Sequence, residues 1–254
     1  MEQEVMRPRI GTQEVVRAAE ILRQYRRGKE NLDKRIIDNE QFWKLRHWEQ
    51  MEKAGEGGNP EDVRPASGWL VNCILSKHAD AMDCYPEPTV LPREPGDRQE
   101  AETLSRILPV LLKNDRFRRT YSKAWWDKLK SGCAVYGVFW DNEKLHGLGD
   151  VSIRSMDVLN LFWEPGVTDI QESEHFFCTE LVPNNHLVRR WPELEGKLGR
   201  GGAQVSRYLF DDKVDTSEQS LVVDWYYHTE REGRQVLQYC KFVGDTVLYA
   251  TEND

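Results

Sequence analysis

The stretch Tyr121–Pro165, YSKAWWDKLKSGCAVYGVFWDNEKLHGLGDVSIRSMDVLNLFWEP, changes its hydrophobic period once, and that change decides the fold class. Tyr121, Ala124, Trp125, Lys128 and Leu129 recur at steps of three and four, which predicts one face of a helix. Gly132 stops that helix as a residue just past a C-cap does. From 133 to 140 the chain alternates instead. Ala134, Tyr136, Val138 and Trp140 share one face of an extended, β-branched and aromatic run. Asp141, Asn142 and Glu143 supply turn chemistry, and residues 150–154 return as a second short strand. Asp157 and the run Phe162-Trp163-Glu164-Pro165 follow. The unit reads helix, glycine turn, hairpin, extended loop, with Trp125, Leu129, Val135 and Phe139 expected in one core.

Upstream of it, residues 12–27 form an amphipathic helix with Val15, Ala18, Ala19, Leu22 and Tyr25 on one side, ended by Gly28-Lys29. A second helix is expected over 30–53, with Leu32, Ile36, Ile37, Trp43 and His47 as its stripe. Residues 54–65 (AGEGGNPEDVRP) read as a loop. Residues 67–83 are helical again, and Tyr85-Pro86-Glu87-Pro88 breaks them before a short extended piece at 89–92. Asp97 is expected to cap a helix carrying Ala101, Leu104, Leu108, Leu111 and Leu112, which Pro109 should kink or split.

Downstream, residues 175–182 alternate as a strand, and Asn184-Asn185 offers cap chemistry to a short helix over 186–194, interrupted by Pro192. Residues 195–203 are glycine-rich. Three strands at 221–227, 235–243 and 246–249 then read as a meander. The expected architecture is α+β, with a helical region over 12–130 packed on a small mixed sheet of 133–140, 150–154 and 175–182.

A chain of 254 residues has room for one or two domains. Its net charge of -8 argues against a protein that simply coats DNA, although a channel that passes DNA without gripping it tolerates an acidic balance. Nine tryptophans suit thick aromatic packing or large contact surfaces. Cys73, Cys84, Cys133, Cys178 and Cys240 are odd in number and irregularly spaced. The charged, proline-bearing residues 1–10 do not resemble a secretory signal, so reduced thiols of a cytoplasmic product are expected. No apolar run has the roughly 20 residues a membrane helix needs.

Motifs with chemistry are sparse. Gly199-Arg200-Gly201-Gly202 lacks the Lys-Ser/Thr pair of a phosphate-binding loop and reads as a turn. His175, Cys178 and His186 lack zinc-site spacing. Asp141, Glu143, Asp150 and Asp157 put four carboxylates near one hairpin, which a metal-dependent nuclease would need converged in a pocket. Turn and strand-edge positions are the simpler reading, so no catalytic, cofactor or metal residue is assigned.

The order of pieces resembles the phage portal proteins, the head-to-tail connectors of tailed bacteriophages, and in particular the type from short-tailed phages. The resemblance is carried by Ile37-Asp38-Asn39-Glu40-Gln41-Phe42-Trp43 with His47-Trp48, and by residues 72–81 leading into Pro86-Glu87-Pro88. It continues through the helix 98–112, the segment Gly132-Cys133-Ala134-Val135-Tyr136-Gly137-Val138-Phe139-Trp140-Asp141, and Gly149-Asp150-Val151 through Asp157-Val158-Leu159-Asn160. Trp163-Glu164-Pro165-Gly166 is similar to a Trp-Asp-Pro-Gly pattern, with Glu where Asp is usual.

The resemblance implies a wing-like region over 1–183, the start of a stem helix over 184–204, and an incomplete, β-rich, clip-like region over 205–254. Arg189 and Arg190 would then repeat around the channel, facing DNA phosphates or the neighbouring subunit; the alternative is a solvated helix face. It implies no cofactor and no enzymatic activity. The expected role is a homo-oligomeric ring, a dodecamer, at the portal vertex of the virion, assembled in the host cytoplasm. Its partners would be major capsid and scaffolding proteins, the terminase large subunit, tail or head-completion adaptor proteins, and double-stranded DNA passing without sequence specificity. No membrane is involved. Relatives of this type are longer, so the chain is expected to be an N-terminal portion. The competing readings are a metal-dependent phage nuclease using the Asp141–Asp157 carboxylates and an ordinary α+β binding module.

Overall fold

The computed structural model describes residues 10–53, 63–198, 218–231 and 233–253. In chain order its helices are α1 (Thr12–Gly28), α2 (Glu30–Trp43), α3 (His47–Lys53), α4 (Trp69–Asp83), α5 (Arg98–Asn114) and α6 (Phe117–Ser131). There follow β1 (Val135–Asp141), β2 (Asp150–Met156), β3 (Leu161–Trp163), β4 (His175–Pro183), α7 (Asn184–Arg190), β5 (Gln219–Arg231), β6 (Arg234–Val243) and β7 (Thr246–Ala250). The class is α+β. The chain forms two compact units, Met1–Ile37 with Leu159–Asp254, and Asp38–Val158.

The first unit is a helix laid on an antiparallel meander in the order β3-β4-β5-β6-β7. Helix α1 buries Val15, Ala18, Leu22 and Tyr25, the stripe its period predicts. They pack in one cluster with Phe177 of β4, Val223, Trp225 and Tyr227 of β5, and Cys240 and Phe242 of β6. The neighbouring positions Val222 and Val243 join a second cluster with Leu187 and Leu194. Because successive strand residues point to opposite faces, β5 is covered on both sides. The helix end is tight: a Cβ on Gly28 would lie 2.5 Å from Pro165 Cγ. Just beyond, the buried Lys29 ammonium donates to the Leu161 carbonyl at 2.7 Å and pairs with Asp33 at 3.0 Å.

The second unit holds the hairpin β1-β2, with α6 packed against α4, α5 and β2. Gly132, at φ +84°, caps α6 with its N–H donating to Lys128 O. Neither of the two fully buried apolar clusters belongs to this unit. It is held instead by half-buried rings: Trp126 stacks on His78 at 3.9 Å and touches Trp43 at 5.5 Å. Asn39 and Glu40 bind the carbonyl and ammonium of Lys130.

Several expectations change. Residues 175–183 do not join β1 and β2 in one mixed sheet. The hairpin stands alone, β4 pairs along its length with β5, and both sheets are antiparallel. Trp125, Leu129 and Val135 are only half-buried and Phe139 is 37% exposed, so they form no closed core. Trp140 is 63% exposed, because a two-stranded ribbon covers one face at most. The helix expected over 30–53 breaks at Leu45, whose φ is +59°. Helix α5 runs through Pro109 as one element. Asp97 stands at the N-cap position of α5 as expected, but its side chain makes no capping bond there and instead accepts from Glu94 N–H. Residues 89–92 belong to neither sheet, and Val90 exchanges both backbone hydrogen bonds with the Ser105 hydroxyl. The interruption expected at Pro192 is present: α7 ends at Arg190, before a 3-10 turn over Pro192–Leu194.

Candidate functional site

The four hairpin carboxylates do not converge. Asp141 and Asp150 sit opposite each other at one end of the ribbon, while Val135 pairs with Met156 at the other, next to Asp157. Six strand steps at about 3.4 Å separate Asp150 from Met156, so Asp157, one residue further, lies roughly 20 Å or more from that pair. Asp141 accepts from Glu143 N–H at 3.0 Å as the turn chemistry predicts, and Asp150 accepts from Val151 N–H at 2.8 Å. No group of three or more His, Cys, Asp or Glu that could hold a metal ion occurs among the described residues.

His175 and Cys178 are three apart on β4 and so point to opposite faces, while His186 is exposed on α7. His175 lies among aromatic rings, and its Nδ1 accepts from Trp225 Nε1–H at 3.3 Å. Burial pushes its pKa down, against the pull of Glu174 and Glu164. Residues 199–202 lie outside the described residues. All five cysteines are free, and burial holds the Cys240 thiol up at about 12. No helix among the described residues is long and apolar enough to cross a membrane.

Arg189 and Arg190 end α7, where a positive charge complements the helix dipole. Both are exposed, and the Arg190 guanidinium lies 4.9 Å over the Trp191 ring. Leu187 anchors their helix in the core.

Sequence reasoning missed an open cleft of about 560 Å³ in the second unit. Tyr85, Pro88 and Phe117 line it, with Lys113, Arg116 and Arg118. Arg118 sits over the Tyr85 ring at 5.9 Å, and burial raises the Tyr85 hydroxyl pKa although Arg118 pulls it down. The signal was present: residues 113–130 carry seven Lys or Arg against two Asp.

These geometries favour surfaces over a catalytic pocket. A family model described as phage P22-like portal protein matches residues 25–247. The chain belongs to that family. No curated protein matches it. As a phage portal protein it has a structural role, and the match takes in α2–α7, every strand from β1 to β6 and the cationic cleft.

Proposed function

We propose that the chain is one subunit of a closed ring, a dodecamer, at the portal vertex, through which double-stranded DNA is packaged and later ejected. The observation that carries this is the family match over residues 25–247. Major capsid and scaffolding proteins, the terminase large subunit, and tail or head-completion adaptors are the partners of that reading. The wing-, stem- and clip-like assignment of 1–183, 184–204 and 205–254 belongs to it as well. The pairing of β4 with β5 gives the first and last of these stretches a common sheet. Arg189 and Arg190 are the residues proposed to face DNA, and their exposure on α7 supports that role. A channel that passes DNA should hold it weakly, and the net charge of -8 favours weak holding.

Gold-labelled antibody raised against the chain tests the reading. One labelled vertex per virion is expected, during assembly as well as in mature particles. Labelling of every vertex, or none in virions, overturns it. The nuclease alternative has a separate test: magnesium- or manganese-dependent DNA cleavage that disappears in Asp141→Asn or Asp157→Asn.

A further inference from the structure

A closed ring of identical copies needs two different surface patches that fit each other, because only heterologous, head-to-tail contacts generate rings. The chain carries two patches of opposite charge, one in each unit. In the second unit, the cleft of Tyr85 and Phe117 is rimmed by Lys113, Arg116 and Arg118 against one carboxylate, Glu87. Asp115, the nearest carboxylate in sequence, is already taken by the Lys144 ammonium and the Ile153 N–H. Among the described residues no ion pair engages Lys113, Arg116 or Arg118.

In the first unit the complementary feature is the loop between β3 and β4. Residues 155–188 contain six Asp or Glu and no Lys or Arg, and four of the six, Glu164, Asp169, Glu172 and Glu174, fall in this loop. None of the four has an ion-pair partner among the described residues. The Glu164 N–H donates to the hydroxyl of Ser173, the residue before Glu174, so Glu164 and Glu174 lie near one another. Like charges so close repel, yet the loop is tightly held. Val167 N–H returns to Glu164 O across Pro165 and Gly166, the latter at φ +93°, which is the dihedral a type II turn requires. Asp169 Oδ1 accepts from Gln171 N–H at 2.9 Å. The buried Ser173 hydroxyl accepts from Glu164 N–H at 2.9 Å and donates to the His175 carbonyl at 2.6 Å. A preorganised loop loses little entropy on docking.

We propose that the acidic loop 164–174 of one copy seats on the Tyr85–Phe117 cleft of the next, its carboxylates facing Lys113, Arg116 and Arg118. The inference rests on the ring reading above. The rim charges set register and speed encounter, and the aromatic and proline surface of the cleft supplies apolar burial. The two patches differ, so each copy both donates a loop and receives one.

Zero-length carbodiimide cross-linking of an equal mixture of unlabelled and ¹⁵N-labelled chain tests it. The expected product joins Lys113 to Glu164, Asp169, Glu172 or Glu174 in mixed-isotope peptides, with a yield that falls at high salt. Arg116→Glu with Arg118→Glu should lower that yield at least roughly fivefold. Asp169→Lys with Glu172→Lys should do the same, and mixing the two reversed variants should restore links between copies. Circular dichroism and thermal melts of each variant check that the fold is intact. Links only within one isotope, or from Lys113 only to other carboxylates, overturn the proposal. Links between copies elsewhere on the chain would overturn this contact while leaving the ring reading standing. A chain that forms no inter-copy link at any concentration counts against both.

Discussion

Asn253 clamps Ile10 at two points: its Oδ1 accepts from the Ile10 N–H and its Nδ2 donates to the Ile10 carbonyl, each at 2.9 Å. The clamp ties the approach to α1 to the turn after β7. Ile10 is itself buried in the cluster under α1. Removing the amide leaves both backbone groups of this buried residue without their partner. Asn253→Ala should therefore cost about 1–2 kcal/mol, two net hydrogen bonds' worth, read from the urea midpoint. An unchanged midpoint would mean that water replaces the clamp at no cost.

The two tryptophans Trp225 and Trp125 should differ sharply. Trp225 is 6% exposed, stacked on Tyr227 at 4.0 Å and parallel to Phe177. Trp225→Ala should cost about 3–5 kcal/mol, as truncation of a buried aromatic does. Trp125 is half-buried, edge-on to Tyr121 with the Lys128 ammonium 4.3 Å over its ring. Trp125→Ala should cost only about 1–2 kcal/mol, since part of its area is already in water. Equal losses for the two variants would contradict this ranking.

These residues also mark what the sequence made legible. The period of α1 named Val15, Ala18, Leu22 and Tyr25, and all four are buried. The alternation of β5 and β6 named the meander correctly. Local pattern could not say which strand β4 would pair with, because its partner β5 lies beyond α7 and a long connection. Tyr136, Val138 and Trp140 look like a buried strand face, yet only Tyr136 meets a ring of α6, Phe117, while Val138 and Trp140 are 66% and 63% exposed. The cleft was hidden for a related reason. Pro86, Pro88 and Pro109 each read as chain breakers, and their common use as a wall appears only when 85–89 is set beside α5. The carboxylates of the hairpin were legible as turn residues, and the register that separates Asp157 from Asp141 follows from the same strand count.

Lys29 and Asp33 are a buried pair, with side chains 6% and 4% exposed. Lys29 also lies 4.5 Å over the Phe162 ring. Lys29→Met removes the cation that lies 3.0 Å from the Asp33 carboxylate, a loss of about 3–5 kcal/mol. Adding Asp33→Leu removes the carboxylate as well, so the double variant should be more stable than Lys29→Met alone. Urea denaturation of the four members of the cycle gives the coupling. A double variant as unstable as the sum of the two singles would show that the pair does not interact.

The last prediction concerns pH and His175. Its Nδ1 accepts from Trp225 Nε1–H, which requires that nitrogen to be unprotonated, and the ring packs against Phe177 and Trp225. Burial lowers its folded pKa below the ordinary 6.5, with Glu174 and Glu164 pulling upward and His228 adding to the depression. The sign follows from proton counts. Between the depressed folded value and 6.5 the unfolded chain binds a proton that the folded chain refuses, so stability falls as pH drops through that window. Above about pH 7 both states are neutral and the slope from this group vanishes. Thermal melts between pH 7.5 and 5.5 should show a declining Tm for the parent chain. His175→Gln keeps a side-chain oxygen within reach of Trp225 but cannot titrate, so its Tm should stay flatter over the same range. A parent Tm that holds steady or rises toward pH 5.5, or a His175→Gln curve that declines in parallel, would show that His175 is not the group that refuses the proton.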